Sequence, residues 1–248
     1  MQGTTFARVQ FTNGRGERLS GVLATPAGGA QACALLPPAL GHQPVQGSLL
    51  SDPLTRRGVA ALQFNSAPHP SREGTQADTD ETGLTLTSAA ADVLAGIDAA
   101  GDLGWDPDRV VVVAQGLAAR AAIRALALPI PVAGLVLVQP LVDVRPSADG
   151  PFALDALDAL WLGVHATRKE LGGVLAPVAA IAARRDPMVD AADVSAALTG
   201  WSPWPRGLQM VDSLEDLVNQ PAALAEVLGL VAGAVEEALG LPSGQRVA

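Results

Sequence analysis

The sequence predicts an α/β fold in which a mostly parallel eight-stranded sheet has helices on both faces. Two observations predict it. Short apolar runs of strand length alternate along the chain with segments of helical periodicity, which is typical of parallel strands joined by helices. The chain also opens on two strand-like runs joined by an Asn-Gly turn, which indicates an N-terminal antiparallel hairpin ahead of the parallel units.

The hairpin is predicted over Phe6 to Thr12 and Leu19 to Thr25, which flank Asn13-Gly14-Arg15-Gly16. The Asn-Gly pair suits this turn because both residues tolerate a positive φ. Six further strands are predicted where short apolar runs are separated by turn residues or helical segments. These runs are Ala32 to Leu36, Val59 to Phe64, Val110 to Ala114, Val132 to Val138, Val178 to Ala182 and Leu208 to Val211.

Helices are predicted between the later strands from apolar residues that repeat at helical spacing. One stripe consists of Leu86, Ala90, Val93, Leu94 and Ile97, and a second of Leu224, Val227, Leu228, Val231 and Val235. We interpret both stripes as packing faces. Between Pro140 and Pro177 the strand pattern lapses into a helical segment with Trp161 and His165, which we interpret as packing residues. We therefore expect a single domain over residues 1–248, with a short lid-like insertion at about residues 141–176.

Composition limits the partners and the location of the protein. The 16 basic and 25 acidic residues give a net charge of −9, which disfavours binding to nucleic acid or to an anionic membrane. The sequence contains no recognisable secretory signal or membrane helix, so we expect a cytoplasmic protein. The lone cysteine, Cys33, lies in an apolar run and is predicted to be a core residue. No cluster of metal ligands is evident, and we expect no cofactor.

The most informative segment runs from Arg109 to Arg124, where four consecutive valines lead directly into a helical pattern. This pattern is typical of a buried strand that enters a helix through a tight turn, here at Ala114-Gln115-Gly116-Leu117-Ala118. Hydrolases with a G-x-S-x-G motif place a nucleophilic serine at the centre of such a turn. Because the central residue is Gly116, the turn lacks a nucleophilic side chain. The alternative interpretation is an ordinary tight turn that never carried a nucleophile.

The order of the elements, with a hairpin first and the tight turn after the fifth strand, resembles the α/β-hydrolase fold over nearly the whole chain. Ala114 to Arg120 is similar to the nucleophile turn of the fatty-acyl transferases, or acyl-carrier thioesterases, of luminous bacteria. It is also similar to that of small acyl hydrolases with a short lid, and both relationships remain open. The resemblance implies a catalytic triad in the chain order nucleophile, acid and histidine.

When the chain is aligned with that triad order, two of the three triad residues are missing. Gly116 takes the nucleophile position, and Asp186, which follows the strand predicted from Val178, takes the acid position. Glu215 takes the histidine position after the last strand. No histidine follows Asp186 in any alignment, because the histidines of the chain are His42, His69 and His165. The two losses are chemically consistent, since a serine without a base is a poor nucleophile and a base alone has nothing to activate.

Each candidate residue also has a structural interpretation. Asp186 is either a residual acid or a residue that forms a turn and caps the helix predicted at Asp190 to Leu198. Glu215 is either a replacement acid or a solvent-facing glutamate in the first turn of a helix. His42 and His69 lie in loops after the third and fourth strands, where each is either an acid or base near neutral pH or an ordinary polar residue.

The resemblance also implies an oxyanion-binding pocket. One N–H donor would come from Ala39 or Leu40, because the two prolines before them have none, and the other from Leu117. Gln115 and Leu117 flank Gly116, whose missing side chain is expected to enlarge the pocket.

Our leading hypothesis is a non-hydrolytic pseudoenzyme that binds a small hydrophobic, acyl or ester-like ligand. The competing hypothesis is an enzyme with relocated chemistry, such as a cyclase, lyase, isomerase or atypical esterase or thioesterase. In that enzyme a proton would be moved by Asp186, Glu215, His42 or His69. A third hypothesis is a structural partner of an active relative. The oligomeric state is not predicted.

Overall fold

The computed structural model describes residues 3–38, 48–66, 85–142, 163–186, 189–199, 207–213 and 220–241. Within these ranges one eight-stranded sheet carries helices on both faces, which confirms the predicted α/β architecture. The strands are β1 (Thr4–Thr12), β2 (Arg18–Pro26), β3 (Ala32–Leu36), β4 (Val59–Phe64), β5 (Val110–Gln115), β6 (Gly134–Val138), β7 (Val178–Arg185) and β8 (Leu208–Ser213). The strand β6 begins later than the predicted Val132, because its ladder with β5 starts at the pair Val111 and Gly134.

The strands lie in the order β1-β2-β4-β3-β5-β6-β7-β8. β2 is antiparallel to both of its neighbours, whereas all pairs among β3 to β8 are parallel. The carboxyl ends of β3 to β8 therefore meet at one edge of the sheet, which we call the carboxyl edge. Open α/β sheets bind their ligands at this edge.

Six α-helices are described, with a short 3-10 helix at Pro107–Arg109. They are α1 (Ser48–Thr55), α2 (Leu86–Asp102), α3 (Leu117–Leu126), α4 (Val164–Leu171), α5 (Ala191–Leu198) and α6 (Pro221–Ala238). The predicted stripes lie on α2 and α6, where most of their residues are buried. α1 is not predicted from the sequence, because Pro53 lies inside it and proline usually interrupts a helix. No helix in the described ranges is long and apolar enough to cross a membrane.

The predicted lid is only partly within the described residues. α4 belongs to it, but residues 143–162, which include Trp161, lie outside the described ranges. His165 is exposed on α4, so the interpretation of this residue as a packing residue is wrong. The lid itself stays a prediction.

The predicted hairpin forms, but its left-handed residue is Gly16, with φ of 79°, rather than Gly14. Asn13 instead anchors the turn. Its Nδ2 donates to Oδ1 of Asp92 on α2 at 2.7 Å, and its Oδ1 accepts two backbone N–H groups of the turn. The buried Asn13 therefore fastens the hairpin to a helix that packs on the sheet.

Hydrophobic side chains fill both faces of the sheet. α2 and α3 cover one face, and α1 and α6 cover the other. Gly96 lets α2 lie close to the sheet, because a Cβ at that position would be 2.9 Å from Cε1 of Phe64. Cys33 of β3 is fully buried in this core, which confirms its prediction as a core residue.

A buried ion pair joins α3 to α4. Arg120 is fully buried and donates to Glu170 through Nη1, and Arg124 donates to the other carboxylate oxygen at 3.1 Å. Burial lowers the pKa of Arg120 below its usual value, whereas the hydrogen bond and the charge of Glu170 act against that shift. Glu170 thus compensates a positive charge that folding removes from water.

Replacing Glu170 should destabilise the protein, because the buried Arg120 charge then loses its carboxylate partner. Glu170→Gln is expected to lower the free energy of unfolding by about 3 kcal/mol, as measured by urea denaturation. Arg124→Gln is the control, since it removes a more exposed cation and keeps the buried pair, and it should cost about 1 kcal/mol. Equal losses in the two variants would contradict a special role of the buried pair.

The Cys33 thiol should be unreactive in the folded protein. Burial raises the pKa of Cys33 from 9.0 to about 12, although a backbone hydrogen bond at Leu62 acts weakly in the opposite direction. Ellman's reagent at pH 8 is therefore expected to modify the thiol only after unfolding. Rapid modification of the native protein would show that Cys33 is not enclosed.

The same pKa shift predicts a loss of stability in alkali. The contribution of the neutral thiol is fully present below pH 9.0 and is lost as the pH rises toward about 12, since only the unfolded thiol ionises in that interval. Cys33→Ala should therefore reduce the fall in unfolding free energy between these two pH values. An unchanged slope in the variant would contradict the shift.

Candidate functional site

The candidate site is built around the turn between β5 and α3. Gly116 occupies this turn with φ of 58° and ψ of −124°, a conformation that residues with a side chain rarely adopt. Glycine adopts it without a steric penalty because it has no Cβ. For a non-glycine residue such a conformation costs about 1–3 kcal/mol. The backbone conformation thus accounts for glycine at this position.

Steric crowding by the described residues does not account for the glycine at position 116. A Cβ built on Gly116 meets no heavy atom of the described residues within 4 Å. A Cβ at position 116 would therefore meet no obstacle in the described part of the chain. In hydrolases with a G-x-S-x-G motif a turn of this kind presents the nucleophilic serine, and here its central residue is glycine.

Two backbone hydrogen bonds hold the turn against the segment that follows β6. The N–H of Gly116 donates to the carbonyl of Val138 at 3.0 Å, and the N–H of Leu141 donates to the carbonyl of Gly116 at 3.1 Å. Both polar groups of the turn glycine are thus satisfied by residues 138–141, which we call the β6 exit. The position of the turn depends on this segment.

Gln139, in the middle of the β6 exit, is left-handed, with φ of 47°. Its N–H donates to the carbonyl of Ile181 at 2.7 Å, as in a parallel ladder. The next ladder bond is made by the side chain, because Oε1 of Gln139 accepts the N–H of Ala183 on β7 at 2.6 Å. The side-chain oxygen therefore takes the place of a backbone carbonyl at the end of the ladder.

The other half of this amide has no partner. Nε2 of Gln139 is buried and makes no hydrogen bond within the described residues, although the residue is only 5% exposed. A buried polar group without a partner costs about 1–3 kcal/mol. Sequence reasoning missed Gln139, and the available signal was weak: a polar residue between a buried strand and Pro140.

Gln115 and Leu117 flank the turn as predicted, but they differ in exposure. Gln115 ends β5 and is exposed, whereas Leu117 begins α3 and is buried. The N–H of Leu117 belongs to the first turn of the helix and has no carbonyl partner within that helix. It remains the predicted oxyanion donor.

Asp186 lies at the same edge, directly after β7. Its Oδ1 accepts the N–H of Val189 at 2.8 Å, and the residue is half-buried. Asp190, and not Asp186, caps α5, since Oδ1 of Asp190 accepts the N–H of Ala192. β6 separates β5 from β7, and the register aligns Gln115 with Val138 and Val138 with Ile181, so Asp186 lies two strands away from Gly116 and further along the strand direction. The sheet therefore brings the two positions to the same region without bringing them into contact.

The remaining site candidates lie outside the described residues. They are Ala39, Leu40, His42, His69 and Glu215. Glu215 belongs to the segment 214–219 between β8 and α6, and the sequence of this segment contains no histidine. No three His, Cys, Asp or Glu side chains come together as a metal site in the described part of the chain.

A groove of about 1080 Å³ adjoins the carboxyl ends of β7 and β8 and borders α6. Its lining includes Arg184 and Arg185 as well as Asp212 and Glu226. Since both signs of charge are present, the groove does not favour anionic over cationic ligands. It lies beside the Gly116 turn rather than at it.

Comparison with protein-family models and comparison with curated proteins both find no match. Solved structures do match. The esterase domain of a Rhodothermus marinus protein is 16% identical, with a TM-score of 0.66 over 94% of this chain and 99% of that domain. The Pyrococcus furiosus esterase Pf2001 is 15% identical, with a TM-score of 0.68 over 94% of this chain and 92% of the esterase.

A third similar structure, AbyA5, is 20% identical, with a TM-score of 0.69 over 97% of this chain and 73% of that protein. At such low identities, these likenesses establish the architecture and not the activity. The sheet order, the turn after β5 and the matches to the esterases agree, and the protein therefore has the α/β-hydrolase fold.

Proposed function

We propose that this protein binds a small acyl or ester-like ligand at the Gly116 turn and does not hydrolyse it. The observation that carries the proposal is the geometry of Gly116. The turn has a backbone conformation that would present a side chain to open space, yet position 116 supplies none. Covalent attack from this turn would need a nucleophile there.

The segment between β8 and α6 supports the same proposal. In this fold the histidine of a triad follows the last strand. Residues 214–219 fill that interval and include no histidine, so the usual general base is absent whatever the register of Glu215. A hydrolase without nucleophile and base retains only the groups that bind and polarise a carbonyl.

One such group is available at the turn. α3 begins at Leu117, and the first N–H groups of a helix carry partial positive charge that favours an acceptor oxygen. A Cβ at Gly116 meets no heavy atom of the described residues within 4 Å, which is compatible with an oxygen bound there. An acyl or ester ligand is proposed because the turn sequence is similar to those of acyl transferases and acyl hydrolases, and because esterases are among the similar structures.

The unaltered protein should not accelerate the hydrolysis of 4-nitrophenyl butyrate above a heat-denatured sample at the same concentration. Gly116→Ser should be equally inactive, because the hydroxyl would lack a base. The measurement is the release of 4-nitrophenolate under excess ester. Saturable turnover by the unaltered protein would refute the non-hydrolytic proposal.

Gly116→Ser and Gly116→Ala should destabilise the protein to a similar extent. Both place a Cβ on a backbone that disfavours one, and neither Cβ meets a steric obstacle among the described residues. A loss of about 1–3 kcal/mol is expected, which for a chain of this size corresponds to about 2–4 °C of Tm per kcal/mol. A Gly116→Ser variant as stable as the unaltered protein would contradict the strained geometry of the turn.

Substitutions of Asp186 test the competing hypothesis, in which a relocated residue transfers a proton. Asp186→Asn keeps an oxygen that can accept the N–H of Val189, so the turn should survive and thermal stability should change little. If the protein only binds its ligand, Asp186→Asn should retain binding of methyl octanoate, measured by calorimetry. Asp186→Ala is the comparison, and it should lose about 1 kcal/mol of stability with the hydrogen bond.

A further inference from the structure

We propose that Gln139 is a ligand-binding residue whose side-chain NH₂ donates a hydrogen bond to an acceptor oxygen of the ligand, either a carbonyl or a carboxylate oxygen. This inference rests on the proposed ligand-binding function and deepens it. It names the chemistry that the β6 exit recognises and a residue that the family resemblance did not indicate.

The two ends of the Gln139 amide have different roles. Its oxygen is used inside the protein, because it accepts the N–H of Ala183 where the β6–β7 ladder ends. Its nitrogen is buried and has no acceptor within the described residues. A glutamate at this position would offer the same acceptor oxygen but would bury a negative charge, since the residue is only 5% exposed. Glutamine is neutral and adds a donor, and that donor has no acceptor among the described residues.

The location of Gln139 connects the unused donor to the proposed ligand site. Its neighbour Val138 accepts the N–H of Gly116, and Leu141 donates to the carbonyl of Gly116. Neighbouring strands lie about 5 Å apart, so the backbone of the β6 exit is one strand spacing from the turn. Gln139 also follows β6, the strand that lies between β5 and β7. A ligand held at the turn is thus close to this residue.

The left-handed backbone of Gln139 is a second, independent irregularity. Residues with a side chain rarely adopt φ of 47°, and this one also precedes a proline. Backbone irregularities and unpartnered polar groups both concentrate at functional sites, and here they coincide in one residue.

Asn65 shows why an unpartnered amide alone is not sufficient. Its Nδ2 is also buried without a partner at the end of β4. However, Asn65 is bonded to the backbone of Ser20 and follows β4, which β3 separates from the strand that leads to the Gly116 turn. Gln139 is bonded to the backbone groups of Ile181 and Ala183, neither of which has a side-chain acceptor.

The test compares Gln139→Glu with the unaltered protein, using methyl octanoate and octanoate as probes in calorimetry at pH 8. The variant keeps an oxygen for Ala183 and loses the donor, so the Kd for methyl octanoate should rise at least tenfold, which corresponds to about 1.4 kcal/mol. The uncharged ester decides the test, because the new carboxylate would repel octanoate in any case. Gln10→Glu on β1 is the matched control, because it makes the same charge change on an exposed residue far from the carboxyl edge, and its Kd should be unchanged.

The side-chain amide signal of Gln139 in the unaltered protein gives a second measurement that does not depend on the variant folding. In ¹⁵N NMR spectra this signal should shift when methyl octanoate is added, in step with saturation. If the unaltered protein binds a probe while Gln139→Glu binds it equally well, or while the amide signal stays in place, the role of Gln139 is overturned and the proposed function stands. If the unaltered protein binds neither probe, both are overturned.

Discussion

The carboxyl edge of the sheet depends on the pair of backbone hydrogen bonds that Gly116 exchanges with Val138 and Leu141. These bonds link the end of β5 to the exit of β6, and the side chain of Gln139 extends the link to β7. Backbone groups and the side-chain amide of Gln139 therefore set the position of the start of α3 relative to the end of β7. Gly116 makes all of these contacts through its backbone, so they do not depend on which side chain stands at position 116.

Most of the fold can be predicted from the sequence because it follows from strong local patterns. β3 and β4 are continuous apolar runs bounded by turn residues, and they begin and end where predicted. The helix α1 is not predictable in this way, since Pro53 lies within it and only packing on the sheet compensates. Gly16 is left-handed in the hairpin, and Asn13 contacts Asp92 on α2, a long-range bond that local turn preferences do not contain.

The candidate site is less predictable, and the reason is physical. The glycine at the centre of the turn after β5 is a local signal, so Gly116 could be found from its neighbours alone. Gln139 could not, because its importance arises from a backbone conformation and from a donor left over after β7 is satisfied. An unpartnered donor of this kind depends on the three-dimensional hydrogen-bond pattern at the end of the strand, which the local sequence does not specify. By contrast, the buried charge of Arg120 has a compensating partner in Glu170, which marks it as structural.

The open space above Gly116 has a practical consequence when it is combined with the burial of Cys33. The chain contains one cysteine, and that cysteine is enclosed in the core. A cysteine introduced at position 116 would have no heavy atom of the described residues within 4 Å of its Cβ and would be the thiol outside the core. The turn is thus a natural attachment point for a fluorophore or spin label, one that would report on the occupancy of the carboxyl edge without further mutation of the chain.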